Sequence, residues 1–268
     1  MTPIRQPRRR LDVELVRRGL AESRTRAAEA IGSGRVLVSG SPATSASRRV
    51  AADEAVAVVA PPRPYVSRGG DKLEAALRAF AIDPRGRRVL DAGASTGGFT
   101  DCLLQHGAAH VTAVDVGRGQ LAWSLRNDPR VTVMERTNLR ELQPAAIGGT
   151  VRLAVADLSF ISLLTVAPAL GRCTAADAEL VVLIKPQFEA GRAAVGRGGI
   201  VRDEAVHREV VLRVTEGLGV AGLPVVDVVA SPITGADGNR EFLAHIHRGV
   251  TAVPPATLAQ SAMAAPVS

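Results

Sequence analysis

Cysteine is nearly missing from this chain of 268 residues: Cys102 and Cys173 are the only two. Two thiols cannot build a disulfide framework or a multi-cysteine metal cluster. Aromatics are almost as scarce, with five Phe, one Tyr and one Trp. Long apolar runs are lacking too. Stretches such as Leu180 to Ile184 fall far short of the roughly 20 residues that a membrane-spanning helix needs. No apolar segment follows the basic N-terminus, so no signal peptide is expected. Charge is also modest: the 46% hydrophobic and 22% charged composition excludes a disordered polymer. These absences predict a globular cytoplasmic protein with no membrane partner, and a monomer is expected.

Lysine is the rarest cation. Of 33 Lys and Arg residues, only Lys72 and Lys185 are lysine, and the net charge is +7. The excess is uneven. Residues 1–64 hold 12 Arg against 6 acids, whereas the other 204 residues hold 21 cations against 20 acids. A basic segment beside a nearly neutral body predicts an appended nucleic-acid-binding module.

The pattern along the chain divides accordingly. Residues 1–9 read as a basic arm. Leu11, Leu15, Val16 and Leu20 share one helical face, and Ser23 is a candidate N-cap for a second helix through Ile31. Short strands follow around Val36, Val50 and Val56, so residues 10–60 form one small domain. The prolines at 61, 62 and 64 mark a linker over 61–66. A helix from Lys72 to Phe80 then opens a second domain over 67–248, and residues 249–268 read as a flexible, poorly helical tail. Strands are predicted at Arg88–Asp91, His110–Asp115, Val131–Glu135, Leu153–Asp157, Leu180–Ile184, Val225–Ala230 and Glu241–Ile246. Helices fall between most of them, at Gly98–Gln105, Gln120–Leu125, Ser162–Leu170 and Asp203–Gly217. Short, Val/Leu/Ala-rich strands alternating with helices predict an α/β sheet buried on both faces.

The first of these strands runs into Asp91-Ala-Gly93-Ala94-Ser95-Thr96-Gly97-Gly98-Phe99. A glycine-rich strand-to-helix turn lets a cofactor approach the backbone at a helix N-terminus. The turn lacks the lysine of a P-loop, and Ser95 replaces the second glycine of a dinucleotide site. Asp91, Gly93 and Gly97 instead fit the Asp-x-Gly-x-x-x-Gly turn that binds S-adenosyl-L-methionine. Asp115 ends the next strand, followed by Val116, and its two carboxylate oxygens suit a ribose diol.

The remaining strand ends carry charge. Asp157 closes one strand, Lys185 closes another, and Glu241 opens the last. In open α/β sheets the carboxyl ends of parallel strands line the ligand crevice. If the last strand runs antiparallel, Glu241 lies at that edge as well, and Lys72 on the entry helix completes two cations and two anions. Each alone reads as a surface acid or a solvated cation. Together, facing a nucleoside-cofactor turn, they point to alkyl transfer.

The segment Asp91 to Thr100 resembles the cofactor turn of FtsJ-type RNA ribose methyltransferases, which use a Lys-Asp-Lys-Glu tetrad. The matching residues are Lys72, Asp157, Lys185 and Glu241. Through Val66-Ser-Arg-Gly-Gly-Asp-Lys-Leu, Gly119-Gln-Leu-Ala-Trp-Ser-Leu-Arg, Ala156-Asp-Leu-Ser-Phe-Ile-Ser and Lys185-Pro-Gln-Phe-Glu, residues 10–247 resemble the TlyA (hemolysin A-like) family. Residues 10–60 resemble an S4 RNA-binding domain. The resemblance implies a Rossmann-like methyltransferase with a mixed seven-stranded sheet, preceded by a small α+β S4-like domain. It implies methylation of ribosomal RNA on cytidine 2′-hydroxyls (23S, and in some members also 16S) within ribosomal subunits. Two other readings remain at this point: a non-catalytic RNA-binding protein with a relic fold, and a membrane-active hemolysin.

A 2′-hydroxyl must lose its proton during attack, and the acceptor must be able to exist deprotonated. Lysine can; arginine effectively cannot. Lys185 is therefore the candidate nearest the hydroxyl, oriented by Asp157, with Lys72 and Glu241 in support. The cofactor is assigned to Asp91, Gly93, Ala94, Ser95, Thr96, Gly97, Gly98, Phe99, Asp115, Val116 and Asp157. RNA contacts are assigned to Arg10, Arg17, Arg18, Arg24, Arg35, Arg63 and Tyr65, with the linker coupling docking to the cofactor site. Phe99 and Phe242 are expected in the core, Trp123 against the sheet, and Phe160 and Phe188 on a base. His245 and His247 are read as structural or solvated, with no metal site.

Overall fold

Ser23 shows how local chemistry starts the N-terminal domain. Its hydroxyl accepts from the amide of Arg26 at 3.2 Å and caps a helix, satisfying one of the donors that a helix start leaves open. The computed structural model describes residues 8–59, 64–191, 194–235 and 237–263. The basic arm expected through residue 7 and the RNA contact expected of Arg63 lie outside them. The chain divides into two compact units, Met1–Arg63 and Pro64–Ser268.

In the first unit, β1 (Arg9–Arg10) leads into α1 (Leu11–Arg17) and α2 (Arg24–Gly32). The short strands β2 (Val36–Val38), β3 (Ser41–Pro42), β4 (Arg49–Val50) and β5 (Val56–Val58) follow. β2 pairs antiparallel with β3 and β5. Leu11, Leu15, Ala27, Ile31, Val36, Val38 and Val50 form its core.

The second unit opens with α3 (Arg68–Ala79), whose Leu73, Ala76 and Leu77 form the buried face. Next come β6 (Arg88–Ala92), α4 (Gly98–Gln105), β7 (His110–Val114), α5 (Trp123–Arg126), β8 (Val131–Met134) and β9 (Val151–Ala156). The chain continues through α6 (Leu163–Cys173), β10 (Thr174–Ile184), α7 (Pro186–Glu189), α8 (Glu204–Val220), β11 (Val225–Ala230), β12 (Phe242–His247) and α9 (Pro255–Ala262). The sheet has seven strands in the order β11-β12-β10-β9-β6-β7-β8. β12 is antiparallel to both neighbours, while β10, β9, β6, β7 and β8 pair in parallel. One core lies against α6, α8 and α9, and the other against α3 and α4. Strands buried on both faces explain why the sequence shows apolar runs rather than alternation.

Two expectations are corrected. The segment read as a loose tail holds α9, which buries Leu258, Ala259 and Ala262. Pro254 and Pro255 do not prevent it, because proline is tolerated at the first helical position, where its missing N–H is not needed. Trp123 is 80% exposed rather than packed on the sheet; it begins a four-residue helix whose buried face is Leu125.

Register brings the chemistry together. Ala92 pairs with Ala156, Val182 with Ala156, and Ile184 with Phe242. Gly93, Asp157, Lys185 and Glu241 each lie one residue beyond those strand ends, along one edge of the sheet. Lys72 reaches the same edge because α3 packs closely on α4. A Cβ placed on Gly98 would strike the Ser67 hydroxyl and the backbone of Gly69 and Gly70. Only glycine allows that approach.

Candidate active site

The turn after β6 is built for close backbone approach. Gly93 has φ +84°, and a Cβ there would come within 2.5 Å of the Asp157 carbonyl. Two neighbouring cavities border it. The larger, about 350 Å³, is lined by Asp115, Val116, Gly117, Thr137, Leu158 and Ile161, among others. The smaller, about 90 Å³, lies against Ser67, Gly69, Ala94, Thr96, Gly98 and Phe99. Gly93, Ser95 and Asp157 line both.

Asp115 is held by its own turn. One carboxylate oxygen accepts from Ser95 N at 2.8 Å and the other from Gly117 N at 2.6 Å. Each oxygen retains a further acceptor site. Asp91 differs from its expected role, because it is fully buried and lines neither cavity. One of its oxygens accepts from Thr100 Oγ1 at 2.6 Å; the other has no partner. Burial above all, and then the charges of Asp157 and Asp115, push its pKa up to about 7 against the pull of the Thr100 hydroxyl. Gly97 also lies under Leu121 and Leu125 rather than on a cavity wall, because its left-handed φ of +97° serves the helix start.

The four charged candidates come together as two pairs. Lys72 Nζ donates to Glu241 Oε2 at 2.5 Å, with side chains only 8% and 3% exposed. Lys185 Nζ lies 2.6 Å from Asp157 Oδ1 and donates to Ser159 Oγ at 3.1 Å. The first pair is sealed. The second borders the cavities through Asp157 and Ser159. Beside it, Phe160 stands 91% exposed with φ +63°. Its ring lies 5.0 Å from that of Phe188, and Lys185 Nζ lies 5.9 Å from the Phe188 centroid. A bulky residue held exposed in left-handed backbone is strained, and such strain clusters at functional sites. Phe99 and Phe242 are in the core, as expected.

Glu189 orders this edge, and the sequence reading did not single it out for that role. Its carboxylate accepts from Ser162 Oγ at 2.7 Å and from Leu163 N at 2.8 Å, which ties α7 after Lys185 to the start of α6. Thr137, Asn138 and Leu139 also line the larger cavity without having been predicted, since no local motif marks them.

The arginines of the first unit hold buried acids. Arg10 and Arg24 bracket Asp12 at 3.1 and 2.9 Å, while Arg17 and Arg18 bracket Glu14 at 2.6 and 2.8 Å. These guanidinium groups pull both carboxyls down to about 2. Arg10, Arg17 and Arg24 keep 46%, 46% and 62% of their side chains exposed. Arg35 is anchored on Ser33. Arg18 departs from the expectation of an RNA contact: it also donates to the carbonyls of Ala51, Ala52 and Glu54, so its donors are taken up internally. Tyr65 departs as well. It is 5% exposed beneath α3, in contact range of Gly70, and offers RNA no surface. Of the two readings of the histidines, the structural one fits His245, which is 8% exposed; the expectation of no metal site is the one that changes, because His245 and His247 stand together beside Glu179.

A glycine turn at the edge of a seven-stranded sheet with an antiparallel β12 defines a Rossmann-like methyltransferase. The chain belongs to the FtsJ-like methyltransferase family, whose model matches residues 65–248, and an S4 domain matches residues 9–56. It is 58% identical over 236 residues to the 16S/23S rRNA (cytidine-2′-O)-methyltransferase TlyA of Mycobacterium tuberculosis, covering 88% of each chain. It is 41% identical to Hemolysin A of Brachyspira hyodysenteriae, covering 88% of this chain and 98% of that protein. A solved structure from Streptococcus thermophilus, described as a hemolysin candidate, superposes with a TM-score of 0.72 at 39% identity over 96% of this chain and 94% of that one. Among the described residues no helix is long and apolar enough to cross a membrane.

Proposed function

We propose that the protein is an S-adenosyl-L-methionine-dependent ribose 2′-O-methyltransferase acting on cytidine in ribosomal RNA within ribosomal subunits, with 23S as the target and 16S as the candidate second one. The observation that carries this reading is the Lys185–Asp157 pair beside paired cavities that meet at Gly93. The cavities fit the cofactor. The larger suits a nucleoside, with Asp115 at its wall for the ribose and apolar Val116, Leu158 and Ile161 around the base. The smaller suits the amino-acid end, over the start of α4. The side chain of Asp91 acts there indirectly, through the turn that it holds with Thr100.

When bound, the cofactor supplies a methyl group on a cationic sulfur. The residues of this chain do the rest. Lys185 Nζ would hold the 2′-hydroxyl and, as the neutral amine, accept its proton when the methyl is transferred. Asp157 and Ser159 keep Nζ aimed at that point. Lys72 and Glu241 form the rigid support behind it, and positioning of this kind can supply much of a barrier reduction. Phe160, with Phe188 behind it, offers a face on which the target base can stack once out of its helix.

The N-terminal unit, taken as residues 10–60, docks the RNA, with the exposed portions of Arg10, Arg17, Arg24 and Arg35 on phosphates. It is followed by a catalytic unit that begins at Pro64, holds Tyr65 in its core and includes α9, and the protein works as a cytoplasmic monomer. Lys185→Arg keeps the charge but removes a group that can be deprotonated. Single-turnover methyl transfer to ribosomal subunits is expected to fall by a factor on the order of 10²–10⁴ with cofactor affinity retained; near-normal rates would overturn the assignment. Mapping 2′-O-methyl sites on both subunits after incubation identifies the nucleotide.

A further inference from the structure

The same strands that carry Lys185 and Glu241 hold a second group of donors at their opposite ends. Glu179 lies on β10, and His245 and His247 lie on β12. Glu179 pairs directly with His247 in the antiparallel ladder, and Val181 pairs with His245. Alternation along a strand puts residues two apart on one face, so all three side chains project from the same side of the sheet. One donor atom from each lies within 4.8 Å of the others, and this is the one such group among the described residues.

We propose that Glu179, His245 and His247 form a binding site for a zinc-class divalent transition metal, which clamps β10 to β12. His245 Nε2 is shut off from solvent and makes no hydrogen bond, although it stands 3.4 Å from Glu179 Oε1. A buried, unpaired ring nitrogen directed at a carboxylate is costly as it stands, and a bound cation resolves it.

The surroundings match a built site. Arg87 donates to the other Glu179 oxygen at 2.7 Å, which leaves Oε1 for the ion and fixes the carboxylate from outside. Phe80 on the end of α3 stacks over His245 at 5.1 Å, and the two imidazoles are roughly parallel at 6.1 Å. Asp227 on β11, paired with His245 across the ladder, is the further acid nearby. Two imidazoles and one carboxylate suit zinc, nickel or copper rather than magnesium or calcium. Metal–ligand distances of about 2.0–2.2 Å require the donors to draw in from 4.8 Å, and His247, the least buried of the pair, has the freedom to turn.

The site is structural. Glu179 stands six residues before Lys185, and His247 six after Glu241; at about 3.3 Å per residue the ion sits roughly 20 Å from the reacting atoms. Methyl transfer therefore proceeds without it, and a failure of this proposal is separate from a failure of the catalytic reading.

The test uses the untagged full chain with zinc sulfate at neutral pH. Equilibrium dialysis is expected to show one ion per chain, accompanied by a rise in Tm, and magnesium is expected to produce neither. His247→Gln, at a half-buried position that tolerates amide, is expected to weaken zinc binding more than about tenfold and to abolish the Tm rise with far-UV circular dichroism unchanged. His245→Asn should do the same; if it fails to fold, His247→Gln decides alone. Absence of saturable zinc binding, or binding undiminished in His247→Gln, overturns the proposal.

Discussion

Lys72 and Glu241 are the most sensitive pair in the catalytic unit, because neither has water to fall back on. Their side chains are 8% and 3% exposed, and their charged atoms lie 2.5 Å apart. Removing one partner of such a buried pair leaves an uncompensated charge and costs about 3–5 kcal/mol. Lys72→Met and Glu241→Met are each expected to destabilise by that amount. At about 2–4 °C per kcal/mol for a domain of this size, each lowers Tm by roughly 6–20 °C. Replacing both with Met removes two charges together and fills the same space with apolar atoms. Exchanges of that kind are often neutral or stabilising, so the double variant should recover to within about 1 kcal/mol of the parent. Denaturant unfolding followed by circular dichroism measures the cycle, and hydrogen exchange of β10 and β12 assigns the loss to this unit. A double variant as unstable as the two singles combined would refute the reasoning, since the loss would then come from shape rather than from an orphaned charge. Methyl transfer separates the roles: stability returns in the double variant, but the support behind Lys185 does not, and turnover stays low.

Other perturbations have signs fixed by the structure. Asp91, with its pKa raised to about 7, contributes stability that is fully present below the ordinary aspartate value and is lost as pH rises through 7. Asp91→Asn, which can still accept from Thr100, is expected to gain stability relative to the parent at pH 8 and to show little difference at pH 4, by thermal melts across that range. Glu14, pulled down to about 2 by Arg17 and Arg18, contributes stability above the ordinary glutamate value that is lost as pH falls toward 2. Glu14→Gln should therefore flatten the acid limb of unfolding for the N-terminal unit and lower its stability at pH 7. Phe160→Gly relieves a left-handed backbone at an exposed site. It is expected to raise stability by about 1 kcal/mol while removing stacking worth about 1–3 kcal/mol, so kcat/KM on ribosomal subunits falls about 5- to 150-fold. Unchanged kcat/KM would remove Phe160 from RNA recognition.

Much of this was legible in the sequence, because strand ends and glycine turns leave local marks. Gly93 and Gly97 stand where backbone must turn left-handed, and Asp157, Lys185 and Glu241 stand where strands begin or end. Three things were not local. Glu189 orders the edge by reaching the start of α6 across 26 residues of chain. Trp123 projects outward because α5 has a single turn, too short to bury more than Leu125. Tyr65 falls in a proline-marked stretch that reads as an exposed linker, yet the open space above Gly70 draws it into the core. The arginines of the N-terminal unit counted as free charge, but Asp12 and Glu14 sit buried among them. Part of the basic excess thus serves folding before it serves RNA.

Pairing also changes what the two lysines mean. Composition alone suggests that arginine replaces lysine wherever a permanent charge suffices. Lys185 fits that logic, since it lies beside the cavities with an acid and a hydroxyl to aim it, where a proton has to move. Lys72 needs a different argument. Its partner Glu241 is packed against Gly235, where an added Cβ would come within 2.5 Å of Oε1, and the pair has almost no exposure. A guanidinium presents five donors in a rigid fork, whereas this pocket offers Lys72 one carboxylate oxygen. Arginine there would leave buried donors unpaired at about 1–3 kcal/mol each. One lysine is retained because its charge must be able to leave, and the other because its compact head is the only cation that the pocket satisfies.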